Sequence, residues 1–421
     1  MLGLAGGIAL AAPLYAQSHG LQQPAGAVDA APATRDVWNN FRSGWSSADA
    51  PAAQRRRNET APEPAPTDPA GEPVEAVSLL GEELHAPELP EEFRQRQLEL
   101  LAGARADLQA APDDVDALIW VGRRTAYLGR YREAIDVYTA GIAAHPDDAR
   151  LYRHRGHRFL STRQLDRAVE DLERAAELVE GAPDEIEPDG LPNERGIPTS
   201  TLQSNVFYHL GLAHYLRADF GKARGAYRRC LAVSTTPDNV VATAHWLYMT
   251  LRRLGLDDEA AAVLEPIPAD MDVIEKHEYH RLLLMYKGEV EPAAIEGELW
   301  VDHGSLGMAT LGYGVGNWRY YEGDRERGAS LFGEVLASDQ WAAFGYIAAE
   351  AELARVPEPE RGVFRFRGRR LTRLRAETGW MSLVGLFPLI EGEHAFGTDP
   401  STDLVFPADD GPAAELASKV F

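Results

Sequence analysis

The sequence predicts an all-α fold: an α-solenoid of helix pairs that follows a disordered N-terminal tether and precedes a short partial β appendage. The first observation is a set of landmark residues that recur at intervals of 34 between about residues 98 and 356. A stretch rich in Ala and Pro precedes these repeats. After residue 356, helical periodicity gives way to alternating apolar residues and turn residues.

The N-terminus begins with the apolar run MLGLAGGIALAAPLYA, which ends in a small residue before Gln17. Its length is typical of a secretory signal, although the usual basic start is absent. We therefore predict a signal peptide at residues 1–16 and export to a periplasmic or extracellular compartment; a buried or wrongly assigned N-terminus is the alternative. Residues 17–89 predict a disordered linker, because Ala, Pro and acidic residues bury too little apolar surface to fold.

The helical domain is predicted at residues 90–356. Within it, the segment DALIWVGRRTAYLGRYREAIDVYTAGIAAHPDD contains two apolar-periodic stretches of about a dozen residues, joined by the turn LGRY. Its landmarks recur 34 residues later and again after an interruption. The three sets are Gly122, Ala134 and Tyr138; Gly156, Ala168 and Leu172; and Gly211, Ala223 and Tyr227.

These landmarks resemble the tetratricopeptide repeat, whose small residue at position 8, Ala at position 20 and large residue at position 24 mark two closely packed helices. The resemblance implies a right-handed α-solenoid that binds proteins in a concave groove. Two looser units carry Tyr248 in place of the glycine and Gly328 in place of the alanine. Between them, residues 272–300 are predicted to form a degenerate helix pair.

The groove prediction centres on RLYRHRGHRFL, the densest cationic stretch of the chain. In the family, positions 2, 5, 9, 12 and 13 of the first helix line the groove. Because arginine grips carboxylates with two parallel hydrogen bonds, the expected partner is a protein or an acidic peptide. The resemblance assigns the groove to Arg123, Arg150, Arg153, His157, Tyr208, His245 and Arg252.

An insertion at residues 180–203 interrupts the repeats with four prolines and three glycines, which exclude a helix. Loops of this length are usually functional or disordered. An alternative to partner binding is that acids of this loop fold back and neutralise the groove arginines. The acids in question are Asp184, Glu185, Glu187 and Asp189.

No cofactor, metal site or catalytic residue is predicted. Cys230 is the only cysteine, and the histidine pairs at 154/157 and 277/280 lack the H-E-x-x-H pattern. A net charge of −23 argues against nucleic acid as a partner, and no stretch after the N-terminus reaches the about 18 apolar residues of a membrane span. The sequence therefore predicts a non-enzymatic interaction scaffold of unknown oligomeric state.

Residues 357–421 are predicted to be a partial β-rich segment, with three short strands in GWMSLVGLFPLIEGEHAFGTDPSTDLVFP and a basic helix or linker before them, at residues 360–379. The strand segment resembles the start of a bacterial domain of unknown function, family 1684. The matching residues include Trp380, Gly385, Glu391, Gly392, Phe396, Asp399 and Asp403. Two alternatives to a scaffold follow: a subunit or remnant of an enzyme whose chemistry belongs to that domain, or a purely structural envelope repeat.

Overall fold

A computed structural model describes residues 73–299 and 306–355 in full, together with the backbone of strand residues 361–366, 369–376, 379–380, 396–397 and 404–405. The signal peptide predicted at 1–16 and most of the linker predicted at 17–89 lie outside these residues. The chain divides into two compact units. Unit one contains residues 85–291 and the segment up to Glu75, and unit two contains Ala76–Leu84 and the chain from Pro292 onward.

Unit one is a stack of helices joined by short turns, except for the insertion between α5 and α6 and the longer connection between α9 and α10. Each helix contacts the next along the chain from α1 to α9, and α10 contacts α8. The helices α2, α4, α6, α8 and α10 also contact one another in this order, so they form one layer, which we call the A layer. The helices are α1 Glu91–Ala110, α2 Val115–Tyr127, α3 Tyr131–Ala144, α4 Ala149–Ser161, α5 Leu165–Leu178, α6 Leu202–Leu216, α7 Phe220–Val233, α8 Pro237–Arg253, α9 Asp257–Leu264 and α10 His277–Tyr286.

The repeat landmarks are the points where two helices of a pair come closest. A Cβ atom on Gly211 would lie 2.6 Å from Cε1 of Tyr227, and one on Gly156 would lie 2.8 Å from Cγ of Leu172. Only glycine leaves room for these large side chains. The position-8 glycine and the position-24 residue therefore interlock as the sequence predicts, and the solenoid of tetratricopeptide-like helix pairs is confirmed.

Unit two repeats this architecture with fewer helices. Helices α12, α13 and α14 all contact one another, and α11 contacts α12. A short antiparallel hairpin pairs β1, Ala76–Val77, with β2, Glu83–Leu84. Within the unit, the Leu79 N–H donates to a carboxylate oxygen of Glu350 at 3.3 Å. The helices are α11 Pro292–Leu299, α12 Leu306–Tyr321, α13 Arg325–Leu336 and α14 Phe344–Arg355.

The two looser repeats have physical explanations. Tyr248, which replaces the expected glycine, is buried and stacks on Tyr286 of α10, with ring centroids 4.3 Å apart. Gly328, which replaces the expected alanine, faces the backbone: its Cβ would lie 2.7 Å from the carbonyl oxygen of Gly316. The α12–α13 pair is therefore close enough to need glycine on both helices.

Three predictions need correction or refinement. Residues 73–89, expected to be disordered, contain the hairpin, because Val74, Ala76 and Leu84 are buried despite the polar composition around them. The helices in 272–300, expected to form a pair, are α10 and α11, and the division between the two units falls between them.

None of the helices in the described ranges is long and apolar enough to cross a membrane.

The C-terminal strands show a third difference. Residues 360–379, predicted to be a basic helix or linker, contain the antiparallel strands β3 and β4, so that prediction was wrong. Interstrand hydrogen bonding outweighs the helix preference expected from the many arginines. The strands are ordered β5-β4-β3-β7-β6, with β6 and β7 parallel. They are β3 Arg361–Phe366, β4 Arg369–Ala376, β5 Gly379–Trp380, β6 Phe396–Gly397 and β7 Leu404–Val405.

Candidate functional site

The predicted groove residues all lie on the A layer of unit one, where the repeat register brings the first helices of successive pairs together. Helix α2 carries Arg123, α4 carries Arg150, Arg153 and His157, α6 carries Tyr208, and α8 carries His245 and Arg252.

A buried ion pair joins α4 to the insertion. Nη2 of Arg153 lies 3.0 Å from Oε1 of Glu187, and the two side chains are only 8% and 11% exposed. The amide of Asn205 on α6 donates to the other carboxylate oxygen of Glu187 at 3.0 Å. Since a buried charge without a partner is costly, each member of this pair depends on the other. The acid that reaches the groove arginine is therefore one of those in the insertion.

The residues that follow Glu187 in the insertion contact helix α2. Arg123 donates from Nη1 to the carbonyl oxygen of Pro188 at 2.8 Å, and Arg124 donates from Nη1 to that of Gly190 at 2.9 Å. Gly190 is buried, and the hydroxyl of Tyr127 occupies the place where a Cβ would stand. The face therefore binds this segment through the carboxylate of Glu187 and the carbonyl groups of Pro188 and Gly190. It also fits closely against Gly190, which has no side chain.

A polar cavity of about 150 Å³ lies beside the ion pair. Across it, the Thr199 hydroxyl donates to Oε1 of Glu275 at 2.7 Å. Arg153 lines this cavity, and its Nε is buried and makes no hydrogen bond. The lining includes Arg123, Arg153, Glu187, Thr199, Asn205 and Glu275.

The two limbs of the insertion, before residue 187 and after residue 190, are held by contacts other than the ion pair between Arg153 and Glu187. The Leu202 N–H donates to the carbonyl oxygen of Glu185 at 2.8 Å, which pairs the limbs near their base. Further out, Arg195 donates twice to the carboxylate of Asp272, at 2.8 Å each. The insertion is therefore held both at its base and further out, on either side of residues 187–190.

Three histidines surround the ion pair. Nδ1 of His154 accepts from Nη1 of Arg153 at 2.9 Å, so the neutral ring carries its proton on Nε2, which is 4.0 Å from Glu187. The rings of His157 and His209 lie 4.4 Å apart. Loss of hydration, followed by repulsion from neighbouring arginines, lowers the pKa of all three well below the ordinary histidine value. The site's positive charge therefore comes from arginine.

The other aromatic groove residues form a second group on α6, α8 and α10. The Tyr208 hydroxyl donates to that of Tyr279 at 3.3 Å, and the Tyr279 ring lies 4.9 Å from the ring of His245. The Tyr286 hydroxyl lies 3.3 Å from Nδ1 of His245. Burial lowers the pKa of His245 to about 3, so this ring is also neutral. These residues therefore form an uncharged aromatic group within the A layer.

Arg150 and Arg252 are engaged by acids near their own helix ends. Arg150 donates from Nε to Asp148 at 2.9 Å, and Nε of Arg252 lies 2.8 Å from Oδ1 of Asp257. The structure therefore brings together Arg123 and Arg153 around the insertion, and Tyr208 with His245. It does not bring all seven predicted residues to one point.

Asn205 and Glu275 are among the contributors to the site that sequence reasoning missed. Asn205 occupies position 2 of the third repeat, so the positional rule that selected Arg150 would also have found it. Glu275 lies between α9 and α10, where no local pattern marks it. It is placed by the buried Asp238, whose carboxylate accepts from the N–H groups of Glu275 and Lys276 at 2.8 and 3.0 Å.

The arrangement is suited to binding carboxylates. One arginine and one amide converge on the Glu187 carboxylate, and charge-assisted hydrogen bonds of this kind are the strong ones. Within residues 73–299 and 306–355, no group of three or more His, Cys, Asp or Glu side chains could hold a metal ion.

No protein-family model and no curated protein matches the chain. The resemblance of the C-terminal segment to family 1684 therefore stays a prediction. Among solved structures, the MamA protein is 17% identical, with 48% of this chain and 97% of that chain covered and a TM-score of 0.30. A tetratricopeptide repeat protein from Parabacteroides merdae ATCC 43184 is 15% identical, with 61% and 98% covered and a TM-score of 0.36. The repeat assignment rests on the interlocking landmarks of this chain itself.

Proposed function

We propose that the protein is a non-enzymatic interaction scaffold whose A layer, at α2, α4 and α6, binds an acidic segment of a partner protein. Stacked helix pairs present extended surfaces that repeat proteins use for recognition. The observation that carries the proposal is the contact between Arg153 and Glu187, because the face already holds an acidic segment of its own chain.

The contacts define the partner's chemistry. Arg153 and Asn205 hold a carboxylate, while Arg123 and Arg124 take main-chain carbonyl oxygens further along the segment. Recognition of both side chain and backbone favours an extended peptide over a compact surface. The neutral histidines leave the face positive through arginine alone, which selects acidic over basic peptides.

A purely structural repeat is the second candidate function. It is favoured by the same contact, because Arg123 and Arg153 are engaged within the chain and the insertion would then fasten α2, α4 and α6 together. This candidate predicts no ligand for the A layer.

Calorimetric titration with a matched peptide pair separates the two candidates. One peptide contains Glu and Asp at the positions of Glu187 and Asp189, and the other contains Gln and Asn. We expect the acidic peptide to bind the wild-type chain or its Glu187→Gln variant, and the amide peptide to bind at least about tenfold more weakly. Binding should weaken with salt, as expected for charged contacts.

Two arginine variants provide the control. Arg123→Ala removes a donor of the site, whereas Arg105→Ala removes an arginine from α1 whose exposed ion pair is with Glu133. We expect the first to lose affinity and the second to retain it. If neither the wild type nor Glu187→Gln binds the acidic peptide, the scaffold proposal fails at this face and the structural candidate is favoured.

A further inference from the structure

We infer that residues 187–190 of the insertion, Glu-Pro-Asp-Gly, are a built-in ligand that a partner's acidic segment displaces. We call this segment the plug. The inference rests on the proposed function and adds a regulatory step: the face is occupied in the free protein, and a partner binds only by competing with the plug.

The plug contributes little to the hydrophobic core. The insertion's large aliphatic side chains face solvent: Ile186 is 69% exposed, Leu191 45% and Ile197 46%. Its inward contacts are an ion pair and hydrogen bonds, which water and a competing peptide can replace. Segments with few buried apolar contacts open at low free-energy cost. Release of the plug therefore leaves the helix packing in place.

The ion pair of the plug uses only part of the arginine. Nη1 of Arg153 is hydrogen-bonded to His154, Nη2 contacts Glu187, and Nε has no partner. A carboxylate that accepts from Nε and Nη2 together would form the stronger two-bond contact. Arg153 lines the adjacent cavity of about 150 Å³, so a competing carboxylate has space beside the guanidinium group. An incoming acid can therefore bind better than Glu187 does.

The anchors on either side let the plug leave without unfolding the whole insertion. The hydrogen bond from Leu202 to Glu185 precedes the plug, and the double contact of Arg195 with Asp272 follows it. A tethered segment has an effective concentration in the millimolar range, about that of short flexible linkers. The plug therefore sets an affinity threshold that excludes weak acidic ligands.

The site also selects against side chains at one position. The Tyr127 hydroxyl occupies the place of a Cβ at Gly190, three residues after Glu187. A competing segment needs a carboxylate and, three residues later, glycine. The partner chemistry is therefore an acidic, extended peptide of the form Glu-x-x-Gly.

The test uses the full chain and a synthetic peptide with the sequence of residues 184–192, DEIEPDGLP. Glu187→Gln removes the plug's charge but keeps its shape, and Glu194→Gln removes an exposed charge from the same insertion as a matched control. We expect Glu187→Gln to bind the peptide about tenfold more tightly than wild type, because a larger fraction of its sites is open. Glu194→Gln should match wild type.

Gly190→Ala supplies a second, independent variant. Its added Cβ meets Tyr127 and should eject the plug without changing any charge, so tighter peptide binding is again expected. Hydrogen exchange supplies a direct readout: in wild type, the peptide should accelerate exchange at the amides of Asp189, Gly190 and Leu191. A purely structural role would leave these amides unchanged or better protected.

The outcomes separate the two proposals. Equal affinities of wild type, Glu187→Gln and Gly190→Ala, with loss of binding in Arg123→Ala, would overturn the plug and leave the acidic-peptide face standing. Absence of binding in every form would overturn both. Tighter binding in both plug variants together with faster exchange in wild type establishes the plug.

Discussion

Oε1 of Glu187 lies 3.0 Å from Nη2 of Arg153, and this ion pair joins a loop to a helix of the repeat stack. The two partners are not equivalent. Arg153 is on α4, which helix packing holds in place, whereas Glu187 can reach solvent if its loop moves. This asymmetry can be tested by mutation.

The first prediction concerns stability. Glu187→Ala leaves a buried arginine without its counter-charge, and we expect the free energy of unfolding to fall by about 3 kcal/mol. Arg153→Ala allows Glu187 to turn into water, so a loss of only about 1 kcal/mol is expected for the ion pair. Urea unfolding of both variants and of the double variant measures the difference. Equal losses from the two single variants would show that the loop does not move.

The second prediction tests the repeat register. In Gly211→Ala the new Cβ would overlap Tyr227, and we expect a destabilisation of about 2 kcal/mol. Gly225→Ala, on the exposed face of the partner helix α7, meets nothing within 4 Å and should instead stabilise by about 0.5–1 kcal/mol. Thermal and urea unfolding compare the pair. A stabilising Gly211→Ala would contradict the close approach of the helices.

The third prediction concerns pH. Burial lowers the pKa of His245 from 6.5 to about 3, so below pH 6.5 the unfolded state binds a proton that the folded state does not. Stability should therefore fall between about pH 6.5 and 3, by up to about 1.4 kcal/mol per pH unit for this group. His245→Phe should reduce the slope. Urea unfolding at a series of pH values supplies the slopes.

The fourth prediction concerns the single thiol. Cys230 is buried between Ser204 and Thr243, and burial raises its pKa to about 12. Because the thiolate is the reactive form, we expect no labelling by a thiol reagent at pH 8 in the native protein and full labelling in urea. Rapid labelling of the native chain would show that the α6–α7 pair opens readily.

Position in the repeat predicts the location of the groove residues but not all of their contacts. The register that marked Arg123 and Arg153 places them on adjacent first helices, and both lie at the site. The same register marks Arg150 and Arg252, which instead contact Asp148 and Asp257. Position in a repeat predicts the layer on which a residue lies. It does not predict which acidic side chain pairs with that residue.

The sequence by itself determined the helix pairs, because the contacts that define them join residues a fixed, short distance apart, such as Gly211 and Tyr227. Helix geometry fixes their spacing, so the pattern can be recognised in the sequence. Only the tertiary structure decided that Glu187 occupies the face and that Glu275 lines the cavity. The path of a proline-rich loop depends on long-range contacts such as that of Arg195 with Asp272, and these have no periodicity for a sequence to display.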